Sequence, residues 1–272
     1  MIKPGEIQGI AGKQKLRDTQ IEKDYVIAWI LLGISESEYL KPVLAFKGGT
    51  AIRKFHIKDY RLSEDLDFTF IEGTMDTNIL KNKFNNVLDW IKEESRLNLE
   101  LRDETLNKKG NFNFYIGYVG PLGGNIKKKD IKVDICDNKK MCNITLNLES
   151  MNEYSDLTVS YKIRCYSINE IISEKLRSLI QRTIPRDLYD LWYFFFNAKK
   201  NILDYASDFQ EKTIFKSLEP NKFLVTVNDK KSKFSSNWKK NLEMQIKEVP
   251  DFDFVWRELS KHFKKLDKYL NT

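Results

Sequence analysis

The sequence predicts an α/β chain of the α+β kind: a mixed-sheet core over residues 1–166, then a helical domain over residues 167–272. Three observations lead there. Short apolar runs with period-two alternation, bounded by Gly, Pro and Asn, recur through the first part. Two longer segments with apolar residues three and four apart interrupt them, and beyond Ser167 only the helical period continues. With 272 residues, 41% hydrophobic and 12% aromatic, the chain has enough apolar surface for one large domain or two modest ones.

Residues 19–34 read as the first helix. Ile21, Tyr25, Ala28, Trp29 and Leu32 recur at helical spacing, and Thr19 and Glu22 are placed as a capping box. Residues 43–46, between Pro42 and Gly48, suit a short buried strand. Gly48 and Gly49 then allow a sharp turn with uncovered amides, and Thr50 opens a helix; such amides and a small hydroxyl attract phosphate. The following strand presents Ser63, Asp65 and Asp67 on one face and Leu62, Leu66 and Phe68 on the other. Residues 76–94 form a long helix with Ile79, Phe84, Val87, Leu88 and Ile91 inward.

Strands at 97–105 and 112–119 flank a turn at residues 107–110 and predict a hairpin. The loop Pro121-Leu122-Gly123-Gly124 is weak as a phosphate signal. Next, Ile131, Val133 and Ile135 alternate with Asp130, Lys132, Asp134 and Cys136, so a strand carries Lys132 and Asp134 on one side. A strand at 157–166 follows, then a helix from Ser167 with Glu170 at the capping-box position. Pro185 separates this helix from Arg186-Asp187-Leu188-Tyr189-Asp190-Leu191-Trp192. Lys175 and Arg182, seven apart, share a helical face, as do Arg186 and Asp190, four apart. Helices at 209–218, 238–246 and 252–270 are rich in lysine; with Asp229-Lys230-Lys231-Ser232-Lys233 they offer a basic surface for RNA, or a solvated one.

A net charge of +7 and a pI near 9.0 favour an anionic partner, nucleic acid first. Cys136, Cys142 and Cys165 are odd in number and lack zinc-like spacing, which predicts free or buried thiols in a reducing cytoplasm. Residues 1–5 carry no signal-peptide pattern, and the apolar run at 25–34 is too short to span a bilayer, so a soluble cytoplasmic chain with no membrane partner is expected. His56 and His262 are too few for imidazole chemistry.

Two carboxylates on one strand beside an anion-seeking turn are what a magnesium–nucleotide site requires. Asp134 is either a third member of that cluster or a residue on an ordinary solvated sheet face. Three carboxylates within about 4 Å would repel by roughly 4 kcal/mol per pair at an effective dielectric near 20. A fold keeps such a cluster only with a cation.

The stretch Phe46-Lys47-Gly48-Gly49-Thr50, continued by Arg61-x-Ser63-x-Asp65-x-Asp67, resembles the signature of the AbiEii/MenT nucleotidyltransferase toxins, within the DNA polymerase beta-like nucleotidyltransferase superfamily. Glu22-Lys23-Asp24-Tyr25, Glu174-Lys175-x-x-x-Leu179 and Arg186-Asp187-Leu188-Tyr189-Asp190-Leu191 resemble further segments of that family, with Ser178 where its alanine usually stands. The resemblance implies a nucleotidyltransferase core and two-metal transfer with Mg²⁺ held by Asp65, Asp67 and Asp134. Lys47, Gly48, Gly49, Thr50, Ser63, Lys175 and Arg186 would surround the NTP, with Lys175 and Asp190 as essential contributions of the helical domain. The implied acceptor is the 3′ end of a tRNA, and the implied partner is a cognate antitoxin. Two other readings stay open: transfer to a protein hydroxyl, and a catalytically silent RNA- or nucleotide-binding module. No clear general base stands out beside Asp134 and bulk water. The preferred NTP follows no spacing rule.

Overall fold

The computed structural model describes residues 1–106, 110–137 and 140–272. They fall into two compact units: Met1–Lys139 with Thr145–Tyr166, and Lys140–Ile144 with Ser167–Thr272. Among the described residues no helix is long and apolar enough to cross a membrane.

The first unit is built on a seven-stranded mixed sheet: β1 (Leu44–Lys47), β2 (Leu66–Phe70), β3 (Asn98–Leu106), β4 (Phe112–Val119), β5 (Asp130–Cys136), β6 (Thr145–Glu149) and β7 (Lys162–Tyr166), in the order β3-β4-β5-β2-β1-β7-β6. β2 runs parallel to β5 and antiparallel to β1, and β1 runs parallel to β7. One face of the sheet is apolar. Phe46, Phe68, Phe114, Val133 and Ile135 are buried there with the helices Asp18–Glu36 and Thr77–Ser95. The Phe46 and Phe68 rings lie 5.0 Å apart and those of Phe84 and Phe114 4.9 Å; burying each such side chain contributes about 1.5–3 kcal/mol. At Gly33 a Cβ would stand 2.8 Å from Val87 Cγ1, so the first of these helices is pressed onto the second where it has no side chain.

The strands and helices expected from periodicity recur, with differences that have physical causes. The helix Asp18–Glu36 starts one residue early, and Gln20 Oε1, not a Thr19–Glu22 box, accepts the Arg17 backbone N–H. Glu22 is fully buried and accepts from Leu122 N–H at 2.7 Å and Lys129 Nζ at 2.6 Å. Asp24 is likewise buried, bonded to Lys54 and the Tyr154 hydroxyl, with Arg53 Nε 3.3 Å away. Burial alone would raise this carboxyl; Lys54 and Arg53 outweigh it and hold it below the usual range.

Asp76 caps the helix Thr77–Ser95, which turns Leu80 inward and leaves Ile79 42% exposed. The hairpin β3–β4 forms, although residues 107–109 of its expected turn lie outside the described residues. The last strand of this unit is shorter than expected, and its antiparallel neighbour β6 is an edge strand in which half-buried Leu146 and Leu148 alternate with exposed Asn147 and Glu149.

The second unit is helical. Ser167 caps Ile168–Gln181 by accepting from Glu170 N–H, but the Glu170 carboxylate does not return the bond. It is buried on Lys212 and accepts from the Cys142 and Asn143 backbone N–H groups, which ties the short segment Lys140–Ile144 to this unit. Phe209, Phe223 and Phe263 pack edge to face at 5.2 Å, joining three further helices. The lysine run begins the helix Lys231–Leu242 and is only partly free for a ligand. Lys230 Nζ donates to the Leu179 and Ile180 carbonyls, satisfying the C-terminal end of Ile168–Gln181, which removes it from the expected RNA surface.

Candidate active site

β1 ends where Gly48 adopts φ +80°, a left-handed turn that favours glycine. The chain then closes a single helical turn, Gly48–Ala51, continued by the wider turn Ile52–His56, before returning as β2. Close approach decides the two glycines. A Cβ on Gly48 would lie 2.6 Å from Asp67 Oδ2, and one on Gly49 2.7 Å from Arg61 Nη2 and 3.0 Å from Ser63 Oγ. Thr50 is buried, and its hydroxyl donates to the Asp65 carbonyl at 2.6 Å. Thr50 thus pins the segment that carries the carboxylates.

Register places those carboxylates. Lys47 is the Cα partner of Asp67 across β1–β2, and Asp67 is the Cα partner of Asp134 across β2–β5. Side chains of paired residues on neighbouring strands emerge on one face about 5 Å apart. Asp65 stands two residues before Asp67, just ahead of the strand rather than within it. Leu62, Leu66 and Phe68 are buried on the opposite face, as period two requires. Ser63 lies against the glycine turn, whereas Lys47 reaches along the sheet to Cys136 Sγ at 2.8 Å and over the Tyr166 ring at 5.6 Å.

The environment of this face is cationic as well as acidic. Lys132 Nζ sits 2.6 Å from Asp134 Oδ2. Burial would lower this ammonium, but the bond and charge of Asp134, then the charges of Asp65 and Asp67, hold it above its ordinary value. With its amide oriented to satisfy its neighbours, Asn113, the β4 partner of Asp134, donates to Asp134 Oδ1 at 2.6 Å. As the side chains stand, no three His, Cys, Asp or Glu among the described residues close around one point as ion ligands. The donor set nevertheless fits a hard divalent cation. It is all carboxylate oxygen on a half-exposed face, and a lysine ammonium already occupies one of those oxygens.

The helical unit holds a second cluster. Lys175 Nζ lies 2.9 Å from Asp187 Oδ1 and 2.7 Å from Asp190 Oδ2, and Arg182 Nε donates to Asp187 Oδ2 at 2.8 Å. All three of Lys175, Asp187 and Asp190 are buried. Desolvation would raise the Asp187 carboxyl, but Lys175 and Arg182 keep it below the usual range. Arg186 is half-buried on the same helix, and it is Arg182 that joins the cluster. Asp187 was not singled out by sequence; its three-residue spacing from Asp190, one helical face, is the signal for it. Arg61 and Asn113 had weaker signals, because their partners are set by the turn and by strand register.

Two solved structures share this fold. MenT4, a nucleotidyltransferase toxin from Mycobacterium tuberculosis H37Rv, superposes with a TM-score of 0.69 at 15% identity, over 98% of this chain and 90% of that one. JHP933 from Helicobacter pylori gives 0.54 at 19% identity, over 94% and 95%. At such identities the likeness concerns the fold alone. No curated protein matches the chain by sequence. Sequence similarity to a family is extensive, however, and covers both units. Residues 29–266 match the profile described as nucleotidyl transferase AbiEii toxin, type IV toxin–antitoxin system, and this chain belongs to that nucleotidyltransferase toxin family.

Proposed function

We propose that this chain transfers a nucleoside monophosphate from an NTP to RNA, at the 3′ end of a tRNA, in a magnesium-dependent reaction that blocks translation. The observation that carries the reading is the register of Asp67 with Asp134, with Asp65 two residues earlier and the Gly48 turn against the Asp67 carboxylate. Asp65, Asp67 and Asp134 would hold Mg²⁺. Bound there, the ions would polarise the α-phosphate and the attacking hydroxyl.

The chain's own residues do the positioning. Gly48 and Gly49 let the turn approach Asp67, Arg61 and Ser63 closely, its backbone amides would meet a triphosphate, and Thr50 fixes Asp65 through its carbonyl. Ser63 and Lys47 border that turn. The family resemblance assigns Lys175 to the phosphates; within the helical unit its ammonium is held by Asp187 and Asp190. Asp134 or bulk water would accept the hydroxyl proton. A net charge of +7 favours RNA over a neutral protein acceptor. Membership of a type IV toxin–antitoxin family implies a cognate antitoxin, and the cytoplasm is where tRNA would be met.

The test incubates purified protein with Mg²⁺, each labelled NTP in turn, and total cellular RNA. Label in tRNA-sized bands, abolished by EDTA, is expected. Label on protein instead would move the acceptor to a protein hydroxyl. No transfer with any NTP, despite nucleotide binding, would make the chain a silent binding module.

A further inference from the structure

Lys132 has an unusual posture for a strand residue. Side chains two apart on a strand stand roughly 7 Å apart and point the same way, so a bond between them requires the longer one to fold back along the strand. Lys132 does this. Its Nζ lies 2.6 Å from Asp134 Oδ2 rather than reaching into solvent, with Tyr115 as its Cα partner on β4. Asp65 and Asp67 also act on the ammonium. The Asp134 carboxylate is thereby engaged at both oxygens: Asn113 offers a neutral amide to Oδ1, and Lys132 a charge to Oδ2. Neither member of the pair is sealed off, since the Lys132 and Asp134 side chains are 39% and 32% exposed.

We propose that Lys132 is a counter-ion of the carboxylate face: it holds Asp134 in place and yields Asp134 Oδ2 when a divalent cation binds. The inference rests on reading Asp65, Asp67 and Asp134 as metal ligands. An ammonium and a divalent ion crowded onto one carboxylate oxygen repel each other strongly, so loading the site through Oδ2 favours an exchange of cations. Lys132 therefore lowers metal affinity while relieving the repulsion among three carboxylates when no metal is present. A four-carbon stem with freely rotating donors suits that exchange, whereas a guanidinium fork would grip the carboxylate more firmly.

The experiment uses the full chain without nucleotide: Mn²⁺ titrated by calorimetry, and thermal melts in EDTA and in excess Mg²⁺, for the wild type, Lys132→Met, Lys132→Arg and Asp67→Asn. Lys132→Met is expected to bind Mn²⁺ roughly five- to tenfold more tightly. It should melt lower than wild type in EDTA and gain more from Mg²⁺. Lys132→Arg should keep the wild-type melt in EDTA and bind Mn²⁺ more weakly. Asp67→Asn should lose Mn²⁺ binding. Wild-type Mn²⁺ affinity in both Lys132 variants, with binding lost in Asp67→Asn, would overturn the counter-ion role and leave the metal site standing. No Mn²⁺ binding by the wild type or Lys132→Met would overturn both.

Discussion

The sheet unit and the helical unit each hold a lysine against carboxylates, and they hold it in opposite ways. On the sheet face, Lys132 and Asp134 share one contact, and both remain open to water. In the helical unit Lys175 is 7% exposed and lies between two buried carboxylates, with Arg182 closing the far side of Asp187. The difference lies in what each cluster can exchange. A half-exposed carboxylate can change its counter-ion at little cost, because water compensates either state. A buried one cannot, because removing its partner leaves a charge in a poor solvent. On the proposed function the sheet cluster would take up and release ions, whereas the helical cluster keeps one ammonium in a single position.

That contrast predicts two dissociated phenotypes. Lys175→Met removes the ammonium shared by Asp187 and Asp190, and should cost about 3–5 kcal/mol of stability, read as a lower midpoint in urea followed by the three tryptophans of the helical unit, Trp192, Trp238 and Trp256. A midpoint unchanged from wild type would show that the cluster is hydrated, and the contrast would fail. Asp67→Asn should do the reverse. Transfer should drop by about a hundredfold or more, close to 3 kcal/mol of transition-state stabilisation, while the melt in EDTA stays within a degree or so of wild type. An unfolded Asp67→Asn protein would make this carboxylate a structural group.

Local patterns in the sequence carried the sheet face, and long-range partners were what they missed. Asp67, Asp134 and the buried Leu66, Phe68, Ile131, Val133 and Ile135 follow from period two alone. Gly48 was legible as a turn because its φ is one that glycine tolerates best. Glu22 was misread as a capping residue because capping is a three-residue pattern, while its partner Lys129 lies 107 residues on. Leu80, four residues before Phe84, continues the buried stripe of Phe84, Val87, Leu88 and Ile91, so the helical period places it inward and adjacent Ile79 off that face. Lys230 looked like part of a basic surface, yet its ammonium is spent on two helix-end carbonyls, a placement that charge counting cannot reveal. β6 does alternate, Leu146 and Leu148 with Asn147 and Glu149, but over five residues the pattern is too short to stand out.

The smallest expected effect concerns pH. The folded-state pKa of Asp187 lies below its ordinary value because Lys175 and Arg182 outweigh desolvation. A carboxyl depressed on folding stabilises the protein above its unfolded pKa, near 3.9, and that contribution is lost as pH falls through the folded value. Asp24, held low by Lys54 and Arg53 in the sheet unit, acts in the same direction. Stability should therefore be flat from neutral pH down to about 4 as far as these two groups are concerned, and decline below it. Each carboxyl adds at most one proton to the difference between unfolded and folded states, or about 1.4 kcal/mol per pH unit of slope. In Asp187→Asn the stability at neutral pH falls, but the acid limb below pH 4 should be shallower by up to that amount when followed by the tryptophans of the helical unit. An acid limb as steep in Asp187→Asn as in the wild type would mean that Lys175 and Arg182 do not hold this carboxyl low.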